Sequence, residues 1–253
     1  GHGDPDDPEN EDAGDGQTDP IAGYTCFYYE YDANRRVTKQ VVFGKSNDGD
    51  YATTLSGSAE GVNTWSRKSV ETDLNGNTTT TYTNYLGQTL LSDVFDAASE
   101  AHAVTCNRYD ESGRLVLTAE PSAFVLSGGK YYDDSLSDLV DWAGGDSPFL
   151  SNTAGLFKET VYYASTSAGI SETTAGGVAG YVDETAVAHG ETAARLAAGT
   201  TGGPIVLSSY TYFARATGGQ SIYPIASYTT YTGEDGTGAA TTSYAYTWYT
   251  GSF

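Results

Sequence analysis

Methionine is absent from the 253 residues, and cysteine occurs only at Cys26 and Cys106. A chain without methionine does not begin at its own initiator, so the expectation is a mature piece from which something upstream has been removed. The two cysteines lie about 80 residues apart, and neither belongs to a Cys-x-x-Cys pair of the kind that holds zinc. Two arrangements stay open for them. One is a disulfide in an oxidising compartment, contributing about 4 kcal/mol by loop entropy; the other is a pair of buried thiols. Histidine is equally sparse. His2, His102 and His189 fall in no His-x-x-x-His or Cys/His metal pattern.

Positive charge is also scarce: 12 Lys and Arg stand against 33 Asp and Glu, for a net charge of −21. A surface field of that sign repels phosphate backbones and anionic headgroups, so nucleic acid and membrane surfaces are not expected partners. No apolar run approaches the roughly 20 residues of a membrane-spanning helix, and membrane insertion is not expected. The helix formers Lys, Gln and Met are few or missing. That pushes the fold class away from helix.

What the chain holds in quantity is tyrosine, 21 residues of it, beside 8 Phe and abundant Thr, Val and Ser. These side chains suit a pleated, half-buried surface, and Tyr covers apolar area while keeping a polar tip. The expected class is all-β, as stacked antiparallel hairpins with one short helix.

Four stretches follow from composition. Residues 1–20 form an acidic tail with eight carboxylates, three prolines and no Lys or Arg, unable to fold alone. Residues 21–124 are a β segment with strand-like runs at 24–31, 37–43, 78–85, 104–109 and 115–119. Asn47-Asp48-Gly49, Asn75-Gly76-Asn77 and Glu111-Ser112-Gly113 supply turns between strands. Residues 125–156 form a connector with an expected helix at 133–144, capped by Asp133 and Asp134, with Leu136, Leu139 and Val140 on one face and Gly144 at its end. Residues 157–253 form a second Tyr-rich β segment, with runs at 157–164, 181–188, 205–214, 222–231 and 241–249. Glu191 to Ala198 reads as a helical turn or a loop. Along the last run the two-residue period places Tyr244, Tyr246 and Trp248 on one face, as candidates for core or interface.

Two segments share a pattern. Tyr29-Glu30-Tyr31-Asp32-Ala33-Asn34-Arg35-Arg36-Val37 and Arg108-Tyr109-Asp110-Glu111-Ser112-Gly113-Arg114-Leu115 resemble the Y-x-Y-D-x-x-G-R-L unit of the Rhs/YD-repeat family. Arg35 stands where the unit has Gly. Tyr82-Thr83-Asn84-Tyr85-Leu86-Gly87-Gln88-Thr89 is a weaker relative in which the acid and the Arg are replaced. The unit's physics is readable on its own terms: Asp caps free amides in a turn, Gly accepts a positive φ, and Arg returns to an acidic or aromatic neighbour. Such a hairpin cannot bury its own face, so successive hairpins must stack. The expected repeat residues are Tyr29, Tyr31, Asp32, Arg36, Tyr109, Asp110, Gly113 and Arg114. The resemblance implies a fragment of a large secreted protein of environmental bacteria, whose relatives wind YD-repeat sheets into shells around toxins or form extracellular stalks. The autoproteolytic segment and the toxic C-terminal domain have no counterpart here, which leaves a shell fragment rather than a complete toxin.

Chemistry-bearing patterns are few. Asp12-Ala13-Gly14-Asp15-Gly16-Gln17-Thr18-Asp19 resembles the Asp/Gly calcium loops of thrombospondin type 3 repeats, because hard cations take six to eight oxygens and a Gly-rich loop presents them. Asp12, Asp15 and Asp19 are thus candidate calcium ligands, set against an acidic linker. No Gly-x-Ser-x-Gly elbow is present. Asp133/Asp134 read as a helix cap rather than a glycosidase pair, and no enzyme and no cofactor other than calcium is expected. The aromatic clusters Phe27-Tyr28-Tyr29, Tyr162-Tyr163 and Tyr244/Tyr246/Trp248 suit cross-strand packing or a glycan platform. Asn77-Thr78-Thr79 is a lone sequon. The expected function is an extracellular or cell-surface structural β-scaffold, part of a shell or of a fibre formed by association with other copies or with the rest of a longer chain. The alternatives are an adhesin or carbohydrate-binding module and a toxin-shell fragment.

Overall fold

The computed structural model describes residues 27–42, 49–56, 61–169, 174–217, 219–234 and 236–248. Thirteen strands lie in one antiparallel sheet whose spatial order follows the chain. They are β1 (Phe27–Tyr31), β2 (Val37–Val42), β3 (Gly49–Leu55), β4 (Arg67–Thr72), β5 (Thr78–Thr83), β6 (Thr89–Asp96), β7 (Ala101–Tyr109), β8 (Leu115–Ala119), β9 (Leu156–Tyr162), β10 (Val182–His189) and β11 (Ile205–Tyr212), then β14 (Ile225–Thr230) and β15 (Ala240–Ser243). Between β11 and β14 a separate hairpin branches off, made of β12 (Arg215–Thr217) and β13 (Gln220–Ile222). The all-β, hairpin-stacked class expected from composition is what the chain forms. The pairing of β8 with β9, Ala119 opposite Phe157, carries the sheet across from the first β segment to the second.

Side-chain alternation decides which face is covered. Tyr82, Leu91, Cys106, Ala119, Phe157 and Ala188 are successive cross-strand partners, one per strand from β5 to β10. All six are buried, Tyr82, Leu91 and Phe157 completely. Complete burial of side chains that size contributes roughly 1.5–3 kcal/mol each. On the opposite face the same strands present Thr81, Ser92 and Thr105, half-buried and in register. A sheet with one apolar and one hydroxylated face needs a cover on one side only.

The connector supplies that cover. Leu139, Val140 and Leu150 from the connector, with Ala123 just before it, join the buried row, and Ala194 of a short helix, α1 (Glu191–Ala194), joins them. The connector does not form the expected helix at 133–144. It consists of turns and one 3₁₀ turn at Trp142–Gly144. The carboxylates of this stretch, the expected caps Asp133 and Asp134 among them, are used otherwise. Asp133 receives both the amide and the hydroxyl of Ser135, Asp134 reaches across to Lys68, Asp138 pairs with Arg108 at 2.8 Å, and Asp141 takes a left-handed φ of 43°. Leu139 and Val140 are both buried although adjacent, while Leu136 is exposed, which is the pattern of a chain laid across a sheet rather than of a helical stripe.

Other boundaries move for local reasons. The run at 222–231 is split by Pro224, which has no amide to give the ladder, into β13 and β14. The last strand ends at Ser243, so Tyr244, Tyr246 and Trp248 do not share a strand face. β3, β4 and β6 lay outside the expected runs. Arg-Lys-Ser-Val-Glu-Thr in β4 has one apolar residue, and Thr-Leu-Leu-Ser in β6 places two leucines side by side, so neither shows alternation.

A buried ion pair fixes α1 under the connector. The Glu191 carboxylate is fully buried, accepts the amide of Ser147 at 2.9 Å and holds Arg195 at 2.5 Å. Arg195 in turn donates to the carbonyls of Trp142 and Gly145 and lies 4.4 Å over the Trp142 ring. Replacing Glu191 leaves the buried Ser147 amide without its acceptor and takes from Arg195 its nearest carboxylate, although Arg195 keeps the two carbonyls and Asp146 at 3.8 Å. Glu191→Ala is therefore expected to lower stability by about 1–3 kcal/mol, read as a shifted urea midpoint with the slope unchanged; a shift below about 0.5 kcal/mol would show that the pair holds nothing in place.

Candidate functional site: capped turns and an aromatic cleft

The repeat residues build one turn, used four times. Residues 32–36, 73–77, 84–88 and 110–114 each connect paired strands, with Tyr31 opposite Val37, Thr72 opposite Thr78, Thr83 opposite Thr89 and Tyr109 opposite Leu115. In the last of these, Oδ1 of Asp110 accepts the amides of Ser112 and Arg114 at 2.9 and 3.0 Å, and Oδ2 accepts Nε of Arg114 at 2.7 Å. Asp32 does the same for Asn34 and Arg36. Asp73 receives the amides of Asn75 and Asn77, with Nδ2 of Asn77 in the place of the arginine. Asn84 repeats the bonds with Leu86 and Gln88, its own amide donating to Oε1 of Gln88.

The fourth residue of every such turn has a positive φ: 63° at Arg35, 84° at Gly76, 79° at Gly87 and 76° at Gly113. Glycine adopts this at no steric cost, and Arg35 does so only because the Asp32 bonds hold the loop. The structure thus places Asp32, Arg36, Asp110, Gly113 and Arg114 in equivalent roles, and adds Asp73 and Asn84.

The carboxylates register these bonds. Asp32 is held below the ordinary range chiefly by the Arg36 amide and guanidinium. At Asp73 and Asp110 partial desolvation works in the opposite direction, but hydrogen bonds from Asn77 and Arg114 and from the loop amides outweigh it, and both are lowered. Neighbouring turns are stitched together as well. Nε2 of Gln88 donates to the Gly113 carbonyl at 2.7 Å, the Asn63 side chain exchanges two bonds with the Tyr109 backbone, and Arg114 lies 4.4 Å over the Tyr162 ring. Tyr29 and Tyr31 are exposed, their rings 6.4 Å apart. Tyr109 is half-buried, with its hydroxyl on the Thr89 carbonyl.

A second constellation lies where β4–β7 meet the connector. Phe95 and His102 are cross-strand partners on β6 and β7, and Asp93 sits one row inward. His102 Nδ1 is 2.9 Å from the Asp93 carboxylate, and the Tyr132 hydroxyl donates to the same carboxylate at 3.1 Å. Asp134 accepts Lys68 at 2.7 Å and the Tyr82 hydroxyl at 3.1 Å, both on Oδ2. Burial first, then the neighbouring tyrosine and carboxylate, raise the Tyr82 phenol far above its ordinary value. Lys68 holds Asp134 low. Between these groups is a cleft of about 590 Å³ walled by Phe95, His102, Tyr131 and Tyr132. Five separate segments supply it, and of its members sequence reasoning singled out Tyr82, His102 and Asp134, none of them for this role.

The remaining candidates fall elsewhere. Asp12, Asp15, Asp19 and Cys26 lie outside the described residues. Cys106 is a free, buried thiol, pushed up to about 12 by burial. Tyr244 and Tyr246 are exposed, Tyr246 stacks on Trp248 at 5.5 Å, and Arg215 lies over Trp248. Among the described residues no cluster of His, Cys, Asp or Glu could hold a metal ion, and no helix is long and apolar enough to cross a membrane. Searches of protein-family models and of curated proteins find no match to the chain.

One carboxylate is placed against its own charge. Glu159 sits on the covered face between Leu117 and Ala186, with Oε1 buried and without a hydrogen-bond partner among the described residues. Burial, followed by repulsion from Glu184, pushes it up to about 7. The folded form then binds a proton that the unfolded form releases near its ordinary value, so this group's contribution falls as pH rises from about 4.5 towards 7. Over that window wild type is expected to lose on the order of 1 kcal/mol, discounted for partial solvent screening, relative to Glu159→Gln. Parallel urea-derived stability curves for the two proteins would contradict the assignment.

Proposed function

We propose that this chain is a non-enzymatic, extracellular structural module, a YD-repeat β-scaffold that forms part of a shell or a fibre by association with further copies or with the rest of a longer chain. The observation that carries the reading is the reuse of one Asp- or Asn-capped turn at 32–36, 73–77, 84–88 and 110–114 within a single continuous sheet. A turn whose cap lies within its own five residues suits a sheet that grows by repetition, because each added hairpin finds the same edge. The motif likeness of residues 29–37 and 108–115 to Rhs/YD repeats points the same way.

Support for association comes from the sheet's ends. β15 is exposed at every residue, and among the described residues it pairs on one side only, with β14. An edge of that kind is a template for another strand unless it is covered. The acidic balance favours solubility of a large assembly rather than a nucleic-acid or lipid partner.

Sedimentation velocity and negative-stain microscopy of gently purified protein test the reading. Oligomers, curved sheets or filaments whose population grows with concentration are expected. A monodisperse monomer with no filaments over the accessible concentration range would overturn the assembly claim.

A further inference from the structure

We propose that the cleft between β4–β7 and the connector binds a neutral sugar unit. The cavity of about 590 Å³ is within the range of roughly 300–1,000 Å³ that small-ligand sites occupy. Its wall is a ladder of rings: Phe95 lies 4.7 Å from His102, and His102 lies 5.2 Å from Tyr131. The planes are tilted by 41° and 42°, so the wall is faceted, and each weakly polar ring face can take C–H groups of a pyranose. Beside it stand two carboxylates with acceptor capacity to spare. Asp93 takes donors from His102 and Tyr132, and Asp134 takes both of its donors on a single oxygen, whereas a carboxylate accepts about four.

Charge selects the ligand class. Lys68 pairs with Asp134, His102 lies against Asp93, and Lys130 and Glu100 also line the site, so donors and acceptors of both signs stand together. Hydroxyl groups fit that mixture. An anion would meet the two carboxylates and the protein's overall field, with its net charge of −21. A cation would compete with the lysines already there. A network serving only to fasten the connector to the sheet would be closed over, since buried polar groups are held most strongly when water is excluded. Here Lys68, His102 and Asp134 keep 25%, 31% and 42% of their side-chain surface exposed, so the network's edge is open. The inference is independent of the scaffold reading, because a shell or fibre needs no ligand and sugar binding needs no assembly.

The test is a glycan array of neutral hexose and N-acetylhexosamine oligosaccharides, probed with the full chain and two variants. Wild type and Tyr246→Ala, which alters the separate aromatic cluster beside Trp248, are expected to bind alike; Tyr131→Ala, which removes the outer ring of the wall, is expected to bind at least tenfold more weakly. Absence of binding by wild type, undiminished binding by Tyr131→Ala, or loss of binding in Tyr246→Ala would each overturn the proposal. Should Tyr131→Ala fail to fold, amide shifts of the wild-type protein titrated with N-acetylglucosamine decide the matter. Shifts centred on Phe95, His102 and Tyr131 support the cleft, and their absence there refutes it.

Discussion

A side-chain oxygen of Asp32, Asp73, Asn84 or Asp110 receives the amides two and four residues ahead, and in doing so it stands in for the strand partner that a chain reversing direction has lost. Two backbone donors that would face water or a void are satisfied locally. The fourth residue is forced to a left-handed φ, and the next side chain, Arg36, Asn77, Gln88 or Arg114, returns to the capping group. Loop length, φ and strand register are thereby fixed together.

Register then decides the core. A slip by one residue would turn Tyr82, Leu91 and Cys106 outward and bring Thr81, Ser92 and Thr105 under the connector. The turns at 84–88 and 110–114 hold the β5–β6 and β7–β8 pairings, the strand ladders carry the apolar row on to Ala188 across six strands, and the connector has a continuous surface to cover. The connector is fastened at its far end by the buried Glu191–Arg195 pair and, near its start, by the Asp93 and Asp134 bonds. The cleft is the space left between those two polar contacts and the ring ladder.

How much of this could be read from the sequence depends on distance along the chain. The turn at Asp110 was legible because cap, glycine and arginine lie within five consecutive residues and each has a distinct local role. Asn75-Gly76-Asn77 was visible as a turn, but the capping role of Asp73 was not, since no arginine follows it. The connector misled for the opposite reason. Leu136, Leu139 and Val140 have helical spacing, yet Lys68 and Tyr82, tens of residues away, draw Asp134 out of any helical cap, and Arg108 does the same to Asp138 within the expected helix. The cleft was illegible because β4, β5, β6 and β7 each contribute a residue or two against several from the connector, and only the sheet brings them together. The C-terminal aromatics kept their alternation in sequence but not in structure, where the strand stops before Tyr244.

The account depends on ionised aspartates gripping backbone amides at the hairpin ends. The most direct measurement is an NMR titration of side-chain carboxyl carbons across the acid range, with the amides of Arg36, Asn77 and Arg114 followed in the same samples. The account predicts that Asp32, Asp73 and Asp110 all titrate below the ordinary aspartate value of about 3.9, each in step with its own amide. Ordinary values, or amides that stay still while the carboxyls protonate, would contradict it.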